Sequence, residues 1–307
     1  MTTPSASEPA RVHPSSVIER SDQRFRELVN RANFMFAHKL SGHPLFSTQS
    51  LIELAQRRPE SPTYAYRSNG QVGVGDRWEK GSARALTAAE TIAGIAHNDS
   101  LVMLKHLEQD VVFGPLLQQI FDELLESAGP RIRDDVIVGR GTLLIASPRR
   151  ITAYHLDADV NFLFQIEGDK TMNVFDQTDR TVVTEVELER YFCGDHNGAQ
   201  YTDSKQARAK CYDLRPGCGV HIPWTAPHWA QNSNNVSVAL SVNFDLKSLV
   251  RLGRIYQMNG KLRQLGGNPA PPGRSMLRDS VKLASAGALT AVSGLLRRRR
   301  PPSTVSS

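Results

Sequence analysis

From residue 136 onward the chain is written in short β-prone runs separated by turn residues: VIVGRGTLLIAS, AYHLDADVNFLFQI, KTMNVFD, GVHIP and VSVALSVNF. A series of such runs spells an all-β sandwich or small barrel. A fold of that kind buries one face of every strand, so a charge inside a run needs a partner or a place at the rim. Residues 152–170 break that pattern openly. They read TAYHLDADVNFLFQIEGDK, with a histidine, two aspartates and an asparagine at the entrance of an apolar stretch, and a lysine just past a Glu-Gly-Asp turn.

Helical patterns flank the β-rich region. Residues 1–18, rich in Ser, Pro and Thr, read as a disordered tail. Residues 20–58 read as helical, with Phe25, Leu28, Phe34 and Phe36 marking a face and Ser50-Leu-Ile-Glu-Leu opening a second short helix. Residues 59–81 suggest loops around an edge strand, and Thr87-Ala-Ala-Glu is a capping box. SLVMLKHLE (100–108) reads as a strand and PLLQQIFDELLES (115–127) as an amphipathic helix. After the last β run, a helix over 246–265 places Leu249, Leu252, Ile255, Tyr256, Leu262 and Leu265 at helical spacing. That stripe needs burial against its own barrel or against a partner. The predicted organisation is a tail (1–18), a helical and mixed region packing on the core (19–135), a β domain (136–245), a C-terminal helix (246–275), and an Ala/Ser-rich helix with a basic tail (276–307).

Composition removes several classes of function. With 307 residues, 40% hydrophobic and 22% charged, the chain suits a soluble globular protein. Four of the charges behind the net +6 are Arg297 to Arg300, so the body is nearly balanced, and no basic stripe interleaves with aromatics. Nucleic acid is therefore set aside as a partner. The segment SVKLASAGALTAVSGLLRRRRPP is too short and too rich in Ser and Gly to span a bilayer, so no transmembrane segment is expected. Cys193, Cys211 and Cys218 show no CxxC spacing and cannot all pair, and the N-terminus lacks an apolar signal region. The expected location is a reducing cytoplasm.

In an extended segment His155 and Asp157 leave the same face, because side chains two apart share a side. An imidazole and a carboxylate converging there can hold a divalent transition metal once a third ligand arrives. Two histidines and one carboxylate leave coordination positions open, the arrangement of non-haem Fe(II) oxygenases. His228, following Pro227 in a turn, is the downstream candidate for the third ligand; His221, inside GVHIP, competes with it. Asn161 and Asp159 share the parity of the pair, Asp159 reading as a rim residue. Past the Gly168 turn the parity restarts, so Lys170 can point inward from the next strand, where a bound carboxylate would satisfy it. Taken singly, each residue has a plainer alternative: a surface His-Asp pair, or a lysine that snorkels to solvent. Trp224 and Trp229, flanking His228, read as packing residues.

The order Thr152, His155-Leu-Asp157, Asn161-Phe, Gly168-Asp-Lys170, Pro216-Gly217, Ile222-Pro223, Pro227-His228 and Ser241-Val-Asn243-Phe resembles the JmjC and cupin-like hydroxylases over roughly residues 136–245. The likeness is nearest to their asparaginyl-hydroxylase branch and its bacterial cupin-like relatives. It implies a mainly β fold with flanking helices around a double-stranded β-helix, the cupin or jelly-roll core. It also implies Fe(II) as cofactor, 2-oxoglutarate and O2 as cosubstrates, and hydroxylation of a protein side chain, a peptide or a small molecule. By position, His155, Asp157 and His228 match the iron ligands. Lys170 and Thr152 match the groups that bind the distal carboxylate of 2-oxoglutarate, and Asn161 and Asn243 match amides lining its other end. Relatives that dimerise through C-terminal helices imply a homodimer through the 246–265 helix. Two other readings stand beside this one. The intact triad argues against a non-catalytic cupin-like sensor or scaffold, and Lys170 with Thr152 argues against a cupin metalloenzyme that does not use 2-oxoglutarate.

Overall fold

The structure, a computed structural model, describes residues 16–19, 23–77 and 86–285. Its strands are β1 (Phe34–Ala37), β2 (Ala65–Asn69), β3 (Ser100–Lys105), β4 (Val136–Ala146), β5 (Ile151–His155), β6 (Val160–Glu167), β7 (Lys170–Val174), β8 (Lys210–Leu214), β9 (Cys218–Ile222), β10 (His228–Asn232) and β11 (Ser237–Leu246). Its helices are α1 (Arg24–Leu28), α2 (Thr48–Arg57), α3 (Ala88–Ala93), α4 (Gly114–Ala128), α5 (Pro130–Arg133), α6 (Glu185–Phe192) and α7 (Lys247–Gln264). One sheet has the order β1-β9-β6-β11-β4-β3-β2 and the other β5-β10-β7-β8. From β4 to β11 the chain passes back and forth between them, leaving β4, β6, β9 and β11 in the large sheet and β5, β7, β8 and β10 in the small one. That is the double-stranded β-helix.

Strand β6 shows why the sequence accepts this arrangement. It lies between β9 and β11 and is buried from Val160 to Ile166, so it reads as a continuous apolar run. Its alternate side chains serve two cores. Phe162 and Phe164 pack outward against Phe25 and Phe36, with ring centroids 6.0 Å apart for Phe162–Phe25 and 4.9 Å for Phe36–Phe164. Leu163 points between the sheets, into a cluster with Met172, Val174, Val220 and Ile222.

Several expectations are corrected. Phe34 and Phe36 belong to strand β1, not to a helix, because β1 pairs with β9 and a two-residue spacing matches a strand's period. AYHLDADVNFLFQI is two strands in different sheets, joined by a crossover at 156–159 that carries both aspartates. Residues 16–18, assigned to the tail, are pinned: Glu123 accepts hydrogen bonds from Ser16 Oγ (2.9 Å) and from the amides of Val17 (3.0 Å) and Ile18 (2.8 Å). Residues 1–15 and Arg297 to Arg300 lie outside the described residues. Neither α6, opened by a Thr184–Glu187 capping box, nor β8 was anticipated. The Thr87–Glu90 capping box, α4 and α7 stand where the pattern put them. Among the described residues no helix is long and apolar enough to cross a membrane.

The stripe of α7 finds its cover within the chain. Leu249, Ile255 and Tyr256 are buried, and the Tyr256 ring stacks on Phe192 of α6 at 5.7 Å. The helices approach closely because α7 places Gly253 and Gly260 there: an added Cβ would stand 2.7 Å from the Phe192 ring and 2.6 Å from Cys193 Sγ. The expected dimer seam is thus occupied in cis over most of its length, leaving Leu262 and Leu265 exposed. Ile255→Glu should therefore lower the stability of the single chain by about 3 kcal/mol or more, a carboxylate having replaced a buried branched aliphatic side chain. Leu265→Glu should stay within about 0.5 kcal/mol of wild type. Denaturant melts of the two variants check this. An Ile255→Glu protein that halves its mass at unchanged stability would return the stripe to an intermolecular seam.

Candidate functional site

The site begins with one rung of the small sheet. β10 runs antiparallel to β5 with His228 opposite His155, bringing the two ring centroids within 4.2 Å. Each ring is oriented by its own backbone. His155 Nδ1 lies 2.7 Å from the Ala153 carbonyl and His228 Nδ1 lies 3.0 Å from that of Ala226. A proton on Nδ1 satisfies each carbonyl and leaves the Nε2 lone pair to coordinate. Burial, reinforced by neighbouring His155, lowers the His228 pKa to about 4, which keeps its imidazole in the neutral, ligating form.

Asp157 enters from the crossover loop. Its Oδ2 stands 3.9 Å from His155 Nε2 and 3.7 Å from His228 Nε2, beyond hydrogen-bond reach of either. The ligand atoms of the three residues all lie within 4.8 Å of one another. Two imidazoles and a carboxylate that converge without bonding each other make a donor set that could hold a metal ion.

The strand ladders carry the remaining residues into the same cavity of about 130 Å³. Next along β10 from His228, Ala230 sits between Thr152 of β5 and Met172 of β7; beyond it, Asn232 pairs with Lys170. Lys170 is thus four residues, roughly 13 Å, along the sheet from the His228 rung. On the facing sheet Asn161 lies opposite Asn243, and Ser241 opposite Thr142. All seven residues singled out in the sequence line this cavity: Thr152, His155, Asp157, Asn161, Lys170, His228 and Asn243.

Lys170 is 6% exposed, and its ammonium has no hydrogen-bond or ion-pair partner among the described residues. Burial pushes its pKa down to about 8. An ammonium in that setting calls for an anion inside the cavity. The amides of Asn161 and Asn243 join a chain of bonds. Asn161 Nδ2 donates to Ser241 Oγ (2.8 Å), Ser241 Oγ to Asn243 Oδ1 (2.6 Å), and Asn243 Nδ2 to Asp159 Oδ2 (2.9 Å). Asn161 Oδ1 is buried and has no hydrogen-bond partner among the described residues. Asp159 lies 4.0 Å from Arg140, and burial together with nearby Asp157 raises its pKa to about 7.

Asn161 reaches the cavity from a different strand and sheet than His155, so the shared parity that suggested it was fortuitous. His221 lies elsewhere. Ile222 lines the cavity, and His221, one residue away, faces the opposite side of β9. There its Nε2 accepts the Asn30 amide at 2.9 Å, its Nδ1 lies 2.9 Å from the Asn161 carbonyl, and burial lowers its pKa to about 3. Trp224 stacks on Phe192 at 5.4 Å and Trp229 donates to Gln206 Oε1 at 3.1 Å; neither lines the cavity. Sequence reasoning missed Thr142 and gave Ser241 no role of its own. Ser241 could have been found by its two-residue spacing from Asn243, whereas only strand pairing reveals Thr142.

The fold is that of the cupin and JmjC oxygenases, a jelly-roll of mainly antiparallel sheets with flanking helices. It is similar to that of YcfD of Escherichia coli, at 15% identity and a TM-score of 0.52, covering 89% of this chain and 68% of that one. A second structure of YcfD, a ribosomal oxygenase in complex with cobalt and 2-oxoglutarate, is similar at 16% identity and a TM-score of 0.48, covering 87% of this chain and 65% of that one. A scan against protein-family models finds no match, and neither does a search of curated proteins.

Lys170 sets a test of the cavity that needs no ligand. Its folded pKa lies below the unfolded value of 10.5, so below about pH 8 both states are protonated and the full penalty of the buried ammonium is present. The penalty, about 3 kcal/mol for a shift of this size, disappears as pH rises from 8 to 10.5, where the folded state sheds its proton first. Lys170→Met should therefore be more stable than wild type at pH 7, and the gap should close across that window. A gap that is absent or constant with pH would mean that Lys170 reaches solvent.

Proposed function

We propose that the protein is an Fe(II)- and 2-oxoglutarate-dependent oxygenase, a dioxygenase that hydroxylates a protein side chain, a peptide or a small molecule. One observation carries this reading: the His155–Asp157–His228 group and the unpartnered Lys170 line a single small cavity. The donor set fits iron, and the buried ammonium fits the far carboxylate of a short dicarboxylate. His155, Asp157 and His228 would hold the metal. Lys170 and the Thr152 hydroxyl would bind the distal carboxylate by charge-assisted hydrogen bonds, and Asn161 and Asn243 would line the other end. When bound, iron supplies activation of O2 coupled to oxidative decarboxylation of 2-oxoglutarate to succinate.

The protein's part is orientation and exclusion of water. The backbone carbonyls of Ala153 and Ala226 fix the two imidazoles, while Leu144, Leu163, Met172 and Ile222 wall the cavity. At about 130 Å³ the cavity is well below the roughly 300–1,000 Å³ of pockets for drug-sized ligands. It suits the cosubstrate and leaves the primary substrate to approach from outside. A non-catalytic sensor would need the lysine and not the triad, so the triad favours the enzyme. Free Cys193, Cys211 and Cys218 accord with a cytoplasmic location. The homodimer reading now rests on exposed Leu262 and Leu265; light scattering near twice 34.0 kDa supports it, and a chain that stays monomeric at high concentration removes it.

Incubated with Fe(II), ascorbate and 2-oxoglutarate in air, the purified protein should form succinate and add sixteen mass units to its substrate. Lys170→Ala should weaken 2-oxoglutarate by roughly 2–5 kcal/mol, as for one partner of a buried charge pair, while metal stays bound. Asp157→Ala should abolish the thermal shift caused by Mn(II), and His221→Ala should keep that shift at a lower baseline. Unchanged 2-oxoglutarate affinity in a folded Lys170→Ala protein would contradict the assignment.

A further inference from the structure

Thr225 is buried at 2% exposure with a left-handed backbone, φ 57°. Among the described residues the other non-glycine positions with positive φ are Asn30, Asp99, His106 and Arg149; Thr225 alone is β-branched. A β-branched side chain resists that conformation, so the surroundings must enforce it. They do so from both sides. The Ala226 amide closes the turn onto the Pro223 carbonyl (3.0 Å), the Trp224 amide donates to Asn30 Oδ1 (3.0 Å), and the Phe175 amide donates to the Pro227 carbonyl (2.9 Å).

The turn held in this way reaches both loops that carry the candidate ligands. It presents the Ala226 carbonyl to His228 Nδ1, and it aims the Thr225 N–H at the Asp157 carbonyl, 2.9 Å away. The Asp157 side chain receives no hydrogen bond from either imidazole, so its placement depends on how its backbone is held.

We infer that Thr225 is a positioning residue. Its left-handed backbone ties the Asp157 loop to the His228 turn and so sets the gap between carboxylate and imidazoles. The inference rests on reading those three residues as metal ligands. Exchanging the Trp224–Thr225 amide for an ester, by incorporating the α-hydroxy analogue of threonine, deletes the one N–H and leaves the side chains unchanged. Mn(II) binding, followed by electron paramagnetic resonance, should weaken at least tenfold in the ester. Thr225→Gly, which takes up φ 57° without strain, should keep the wild-type Mn(II) affinity within twofold and melt at a higher temperature. An ester that binds Mn(II) as wild type does, or a Thr225→Gly protein that loses tenfold in affinity, would overturn the role assigned to this backbone. A wild-type chain that binds no Mn(II) would instead overturn the metal reading itself.

Discussion

The two imidazoles of the site are brought together by the antiparallel pairing of β5 with β10. That ladder sets His155 beside His228 and Thr152 beside Ala230, and β7 on its other side adds Met172 and Lys170. Side chains two apart on β10 and β7 share a face, and an irregularity between His228 and Ala230 lets His155 and Thr152, three residues apart on β5, both line the cavity. A slip of one residue in β10 would turn the His228 imidazole away from His155. β10 is held on its two flanks, by β5 and by β7, while the crossover at 156–159 brings Asp157 to the end of the rung.

The surrounding fold tolerates features that on their own are destabilising. The Lys170 ammonium is buried, Asn161 Oδ1 has no donor among the described residues, and Thr225 holds an unfavourable backbone conformation. These are concentrated within the cavity and the turn beside it. The cores on either side of the large sheet are apolar: an aromatic cluster of Phe25, Phe34, Phe36 and Phe162 outside it, and Leu163, Met172, Val174 and Val220 between the sheets. Packing there offsets the local cost, and the local cost is the mark of a ligand site.

Much of this was legible in the sequence. Alternation and turn residues announced the strands after residue 136, and the capping box of α3 and the stripe of α4 were local signals strong enough to survive folding. The site residues were legible for a different reason: several polar groups at fixed spacings inside apolar runs are each costly to bury unless a ligand meets them. What local pattern could not settle was decided by long-range pairing. Phe25 and Leu28 extend a helical reading into Phe34 and Phe36, whose pairing with β9 makes them a strand. His221 and His228 are alike in sequence, and only the facing of β9 sends His221 into the outer core. The α7 stripe demanded a cover but did not name α6, whose glycine-mediated contact appears only in three dimensions. The resemblance supplied roles for Lys170 and Thr152 that spacing alone left open.

The central claim is that the triad and Lys170 serve one ligand held between them. Calorimetric titration of 2-oxoglutarate into the protein, with and without Mn(II), tests it most directly. A cosubstrate shared by metal and lysine should bind at one per chain when Mn(II) is present and lose at least tenfold in affinity when it is absent. Equal affinity in both titrations would show that the cavity binds the dicarboxylate without the triad, and would contradict the account.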